Sequence, residues 1–319
     1  KTRSSTYAAL DPLYSKAAAH RARTSRSNLL LYTPYAWEAF QATYFHTPNR
    51  VLFQYHPHAD YERRLLREDA KRFPELEFAE GLRPETGANL TKAQRRRVEE
   101  AWRLADRVLC ASTFTQRTLE TAGADPANCA VIPYGVDFPD APPTEKTPPA
   151  DFSVLFVGSG IQRKGLHHLL YAWTQADLPV NSRLTLVCRT IEPALSALVE
   201  DTPRTVLHRG VSYETLISLY REHTLFAMPS LIEGFGQVYL EAMSQGCPVL
   251  GTPNTCLPDI DSPGQAVHTV PPGDVEPLAS ALEKLAAELP GKSAPRTVAR
   301  DCASQFKWAR FRSQIVNVL

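Results

Sequence analysis

Between Pro229 and Asp259 the chain reads PSLIEGFGQVYLEAMSQGCPVLGTPNTCLPD, which sets Glu233 and Glu241 on either side of a Gly234-Phe235-Gly236 turn. Two glycines flanking an aromatic residue let a ligand approach the backbone closely, where side chains would block it. A helix is expected to open there. Its apolar residues Val238, Leu240, Ala242 and Met243 run toward Gly246, a natural C-terminal stop, and Pro248 prevents continuation. The first N–H groups of such a helix lack internal acceptors and carry the positive dipole end, which suits a phosphate or a sugar oxygen. Glu233 then precedes the helix and Glu241 lies about one turn inside it. Carboxylates so separated serve two polyol parts of one ligand, whereas a catalytic pair converges on one bond. Hydrogen bonding to sugar and ribose hydroxyls is the chemistry indicated, and a solvated helix with incidental glutamates is the competing reading.

A second stretch, FSVLFVGSGIQRKGLHHLLYAW at residues 152–173, combines a buried-strand pattern, a glycine-bearing loop, a basic pair and an apolar helix. Gly158 and Gly160 begin a dinucleotide fingerprint that lacks its third glycine. Lys164-Gly165 has neither the order nor the Ser/Thr of a Walker loop. What survives is Arg163 and Lys164 beside a helix start, an arrangement suited to neutralising a diphosphate without a metal. The alternative is a basic pair facing solvent.

In order along the chain stand VGSGIQRKG, LHRGVSYETLISLY, PSLIEGFGQVYLEAMSQGCPV, CLPD and VPPGDVEPLASAL. Together these segments resemble the retaining, nucleotide-sugar-dependent glycosyltransferases of family 4, the glycosyl transferases group 1 domain with the GT-B fold. Upstream, residues 105–138 resemble the end of that fold's first domain and its linker, so the resemblance covers most of the chain. It implies Lys164 at the donor diphosphate, Glu233 by the transferred sugar, Glu241 on the nucleotide ribose, and backbone contacts from Gly158, Gly234, Phe235 and Gly236. Leu257 and Pro258 fall in the family's donor-contacting turn, although Asn254, Thr255 and Cys256 precede them where family members are richer in glycine. Ser159 stands where an arginine is usual, and Arg163 is the candidate to replace it. Tyr134, Val211 and Arg189 are further candidates for nucleotide contact.

Residues 50–58, RVLFQYHPH, begin as a β-rich apolar run that Pro57 breaks. In the family a histidine after the corresponding strand reaches the transferred sugar, which makes His56 the first choice and His58 the second. Asp60 lies nearby, but alternating spacing points neighbouring side chains to opposite faces, so no metal is expected there. The Asp259-Ile260-Asp261 triplet matches the metal-binding pattern of the other glycosyltransferase fold but sits in the wrong context. No metal and no cofactor beyond the nucleotide sugar are expected.

These motifs need a scaffold, and the spacing of apolar runs supplies one. Strands are expected near Val154, Leu184, Thr205, Leu225 and Pro248, alternating with helices. Upstream, strands are expected near Leu29, Val51, Val108 and Val131. An α/β protein of two Rossmann-like doubly wound domains follows. The N-terminal domain takes residues 1–138 with a closing helix at 303–319, a Pro-rich linker occupies 139–151, and the nucleotide-sugar domain covers 152–302. The N-terminal domain shows no opening strand followed by a glycine-rich loop, so it reads as lacking its first strands, and Lys1 in place of methionine suggests a missing preceding segment.

The 319 residues are 43% hydrophobic and 22% charged with a formal net charge of +1, enough for two cores. That balance argues against a nucleic-acid binder. Arg63-Arg64 and Arg95-Arg96-Arg97 have glutamates beside them and read as solvated helix faces. No apolar run reaches the roughly 20 residues of a membrane span and no secretory signal is present. A cytoplasmic protein is expected, with weak peripheral membrane association left open. Six cysteines without CxxC spacing read as reduced thiols. Asn89-Leu90-Thr91 is formally a glycosylation sequon, but Thr91 reads better as a helix cap. The expected activity is retaining transfer of a sugar from a nucleotide diphosphate sugar to a saccharide or other hydroxyl acceptor. The alternative is a non-catalytic sugar-nucleotide-binding or scaffold protein of the same fold.

Overall fold

The structure, a computed structural model, describes residues 3–42, 49–78, 91–138, 148–260 and 265–319. The Asn89 sequon, Asp261 and most of the Pro-rich linker lie outside the described residues. The chain divides into two compact units. Unit 1 comprises residues 1–67, 79–133 and 311–319, and unit 2 comprises residues 68–78 and 134–310.

Unit 1 holds α1 (Arg3–Ser25), β1 (Leu29–Tyr32), α2 (Thr33–Gln41), β2 (Arg50–Gln54), most of α3 (Ala59–Arg72), α4 (Lys92–Glu100), β3 (Arg107–Cys110), α5 (Thr113–Thr121) and β4 (Cys129–Val131). The four strands are parallel and stand in chain order, β1-β2-β3-β4, each near one of the apolar runs that predict it. Its core is built from small residues that admit close helix contacts, Ala19, Ala22, Ala36, Ala39 and Ala101, filled by Phe40, Leu52, Trp102 and Val108. Thr91 caps α4 as its sequence position suggests: its hydroxyl accepts from Gln94 N, and the Gln94 side chain closes a capping box.

Unit 2 continues with β5 (Ser153–Val157), α6 (Leu166–Gln175), β6 (Arg183–Val187), α7 (Pro193–Asp201), β7 (Thr205–His208), α8 (Tyr213–Glu222), β8 (Leu225–Ala227), α9 (Gln237–Ser244), β9 (Val249–Gly251), β10 (Val267–Thr269), α10 (Val275–Glu288) and α11 (Ala294–Ala303). The last helix, α12 (Trp308–Val318), starts in unit 2 and belongs to unit 1 from Phe311 onward. The six parallel strands of unit 2 are ordered β10-β9-β8-β5-β6-β7. Successive strands therefore move outward from β5 in one direction and, from β8, in the other. The crevice beyond the carboxyl ends of β5 and β8 is the topological switch point of a doubly wound sheet, where ligands of such folds bind. Every residue of β5 is buried, as a central parallel strand covered on both faces requires. Helix α6 buries seven of its ten residues, including His167 and His168, and α10 packs against it. Strand β10 has no counterpart among the expected strands, being three residues long with none of them buried. All six cysteines are free thiols.

Candidate functional site

Two loops leave the switch point of unit 2, one after β5 and one after β8, and these strands are parallel neighbours with Val154 opposite Leu225. The β5 loop runs through a short 3-10 turn at Gln162–Lys164 and enters α6 through Gly165, whose φ of 66° is left-handed. A Cβ at Gly165 would lie 2.0 Å from Pro229 O, so glycine is what lets this loop rest on the exit of β8. The same contact brings the basic pair to the glutamate. Arg163 Nη1 donates to Glu233 Oε1 at 2.7 Å and to Ile232 O at 3.1 Å, and Lys164 Nζ pairs with the same carboxylate oxygen. Arg163 and Glu233 are buried, at 9% and 5% exposure, and Lys164 is half-buried. The Lys164 stem passes over Gly158, where a methyl group would stand 3.8 Å from Cε. Two cations thus share one carboxylate oxygen.

The β8 loop turns into α9 through Gly236, with φ 86°, and a Cβ there would meet the Tyr239 ring at 2.7 Å. Helix α9 spans eight residues and gives way to Gln245 and the left-handed Gly246, the stop that the sequence indicates. The Phe235 ring is buried against Tyr134, with centroids 5.2 Å apart, so only its backbone is available to a ligand. Its carbonyl accepts from Cys256 N at 2.9 Å, Glu233 N donates to Asn254 O at 2.9 Å, and the Asn254 amide donates to Leu231 O at 2.8 Å. The CLPD turn is thereby laced to the Gly-Phe-Gly turn. Leu257 faces inward at 2% exposure and Pro258 is exposed.

Glu241 occupies the fifth position of α9, roughly 6 Å along its axis from the first residue. Its carboxylate accepts from the Tyr220 hydroxyl at 3.3 Å, and burial raises its pKa. His56 lies in unit 1, two residues past β2 and half-buried, with its ring 4.4 Å from that of Tyr55 and its carbonyl accepting from the Gln54 amide at 2.8 Å. The neighbouring polar groups are engaged elsewhere. His58 Nε2 is 3.0 Å from Glu99 O, and Asp60 pairs with Arg63 and Arg64.

One group at the loop has almost no sequence signature. Glu192 is buried at 7% exposure at the start of α7, its Oε2 accepting from Gln162 N at 3.2 Å, and burial pushes its carboxyl up to about 7. Its only sequence signal is Pro193 behind it, which marks a helix start without showing that the side chain turns inward.

Residues 151–288 match the protein-family model described as Glycosyl transferases group 1. The MMP alpha-(1->4)-mannosyltransferase of Mycolicibacterium hassiacum is 28% identical over 165 residues, 50% of this chain and 40% of that protein. The O-antigen chain mannosyltransferase B of Escherichia coli is 29% identical over 170 residues, 51% of this chain and 44% of its own length. The matched stretch thus spans less than half of the length of either relative. A crystal structure of Anabaena Alr3699/HepE in complex with UDP-glucose superposes with a TM-score of 0.67 at 19% identity, covering 94% of this chain and 81% of that one. At that identity the likeness speaks for the fold alone, an α/β arrangement of two parallel sheets shared with GT-B proteins.

Proposed function

We propose that this chain, whose residues 151–288 match the family model described as Glycosyl transferases group 1, transfers a sugar from a nucleotide diphosphate sugar to a hydroxyl acceptor, with retention of anomeric configuration. The observation that carries the reading is the Arg163–Glu233–Lys164 cluster at the switch point of unit 2, beside the N-terminus of α9. The leaving diphosphate accumulates charge as the glycosidic bond breaks. Fixed cations and a helix N-terminus aimed at that charge stabilise it without reorganising during reaction.

In this reading Arg163 and Lys164 bind the diphosphate over Gly158, and Glu233 orients the transferred sugar from its place between the two cations. Backbone groups of Gly234, Phe235 and Gly236 approach sugar and phosphate, and Glu241 holds ribose hydroxyls from one turn along α9. Leu257 acts through backbone rather than side chain, because its side chain is core, while exposed Pro258 shapes the turn. His56 polarises a sugar hydroxyl. The reading is supported further by the UDP-glucose held by the structural neighbour and by the mannosyltransferase names of the relatives. Among the described residues no helix is long and apolar enough to cross a membrane.

Calorimetric titration with UDP-, GDP- and ADP-sugars, beside Lys164→Ala and Glu241→Ala, tests it. Binding of one donor class that both substitutions weaken, followed by release of the nucleoside diphosphate when acceptors are added, is the expected result. Absence of binding to every donor overturns the proposal. Binding with no transfer to any acceptor favours a non-catalytic sugar-nucleotide-binding protein.

A further inference from the structure

Behind the donor loop, within unit 2, three side chains converge that the function above does not use. Asp69 comes from the last turn of α3, and His167 and His168 from the first turn of α6. They are 4%, 0% and 1% exposed. His167 Nε2 is 3.1 Å from Asp69 Oδ2, and His168 Nε2 is 2.9 Å from Asp69 Oδ1. Consecutive helical positions diverge by roughly 100°, yet the two imidazoles turn toward one carboxylate with ring centroids 3.8 Å apart. Phe73 stands against both rings and Phe78 against His167, which seals the group from water.

Hydrogen bonding accounts for part of this convergence only: Asp69 Oδ2 lies 3.1 Å from His167 Nε2 and also accepts from Gln162. His168 Nε2 and Asp69 Oδ1 face each other at 2.9 Å, but neither makes an aligned hydrogen bond, and the Nδ1 atoms of both histidines are buried without a partner. A carboxylate this far from water is costly unless it meets positive charge. One donor atom from each of the three residues lies within 4.8 Å of the others. A tetrahedral zinc ion with bonds of about 2.0–2.2 Å sets its ligands roughly 3.4 Å apart, so side-chain movements of under about 1 Å close the set. Gln162, 4% exposed, donates its amide nitrogen to Asp69 Oδ2 at 2.8 Å. Because amide nitrogen and oxygen are assigned from such networks, turning the group over would present an oxygen as a fourth ligand.

We propose that Asp69, His167 and His168, completed by Gln162, form a structural site for a divalent transition metal of the zinc class. This adds a metal where the sequence alone indicated none. Two imidazoles favour zinc over magnesium or calcium, which require oxygen. The ion would pin residues 68–78 to α6 and brace the 3-10 turn carrying Arg163 and Lys164, since Gln162 opens that turn. It has no part in bond breaking, so this site and the donor site stand or fall separately.

The test uses the full chain purified without chelator, with zinc chloride as the probe. Elemental analysis is expected to find about one zinc per chain, retained or taken up. Thermal melting with zinc about 100-fold above Kd is expected to lie roughly 4–8 °C above melting in EDTA, with magnesium and calcium giving no shift. Asp69→Asn and His168→Gln should each lower zinc affinity at least ten-fold, while His20→Gln, at an exposed position on α1, should not. If these variants fail to fold, the wild-type stoichiometry and melting shift decide the matter. Cobalt uptake adds a spectroscopic readout, with the intense visible bands of four-coordinate geometry expected. Wild-type protein that binds no zinc and melts at the same temperature with zinc and with EDTA overturns the proposal, as does zinc uptake undiminished in folded Asp69→Asn and His168→Gln.

Discussion

Replacing Glu233 by glutamine keeps the side chain's shape and removes the charge that Arg163 and Lys164 share. The carboxylate sits 2.7 Å from Arg163 Nη1 and in contact with Lys164 Nζ. A diphosphate oxygen bound by the same lysine would sit about 2.8 Å from Nζ, hence roughly 5 Å from the carboxylate on the far side of the ammonium. Two unit charges at roughly 5 Å with an effective dielectric near 20 repel by about 3 kcal/mol. The intervening cations screen most of this, leaving about 1 kcal/mol, or a roughly five-fold tightening of diphosphate binding in Glu233→Gln. Lys164→Met should do the opposite. Loss of a charge-assisted hydrogen bond costs about 1.5–3 kcal/mol, a roughly ten- to hundred-fold weakening. Calorimetry with pyrophosphate, UDP and GDP reads both variants without assuming a base, and single-turnover donor cleavage should still fall in Glu233→Gln because the sugar loses its orienting group. A Glu233→Gln variant that binds pyrophosphate as weakly as Lys164→Met would refute the argument, because the glutamate could not then be competing with phosphate for the same cations.

Gly165→Ala should destabilise the protein by about 3 kcal/mol or more in urea unfolding, since its methyl group would lie 2.0 Å from Pro229 O at a backbone φ of 66°; a loss below about 1 kcal/mol would mean the two loops are not in contact. His223 is buried and neutral, with Nδ1 donating to Leu219 O at 2.7 Å and Nε2 accepting from Thr185 at 2.8 Å. Burial first, against the Leu219 carbonyl and reinforced by Arg183, lowers its pKa to about 4. Its contribution is full above about pH 6.5 and is lost as pH falls through 4, to a total of about 3 kcal/mol, so histidine NMR titration should find it neutral at pH 5. Glu192 runs the other way. Burial raises its carboxyl to about 7, so its stabilisation is full below about 4.5 and declines as pH rises through 7. Infrared titration should show a protonated carboxyl near pH 6 that Glu192→Gln removes.

The sequence carried the strand-loop-helix periods, and with them the positions of β1 to β9; the central strands β5, β8 and β9 show most plainly, because buried parallel strands must be continuous apolar runs. It also carried stops and entries that backbone chemistry imposes, Gly246 after α9, Thr91 before α4 and Gly236 at the exit of the β8 loop, whereas the left-handed entry at Gly165 emerged only in the structure. Strand β10 was not legible: it is three residues long with none buried, and His268 interrupts its apolar run, whereas the equally unburied β4 reads Cys-Ala-Val. The site was legible as two motifs, not as one constellation. Nothing local to Arg163 or Lys164 shows that they close on Glu233, because 70 positions separate Arg163 from it. Likewise Glu192 reads as a helix-start residue until its inward turn is seen, and His167-His168 reads as core until Asp69 is found 98 positions before His167.

Residue types and their spacing along the chain therefore determined which segments become strands, turns and helices, and which residues were available for phosphate and hydroxyl chemistry. Tertiary structure decided which of them meet. The order β8-β5 places two distant loops at one switch point, and burial there turns ordinary charges into paired ones, because a side chain withdrawn from water must find its partner within the protein.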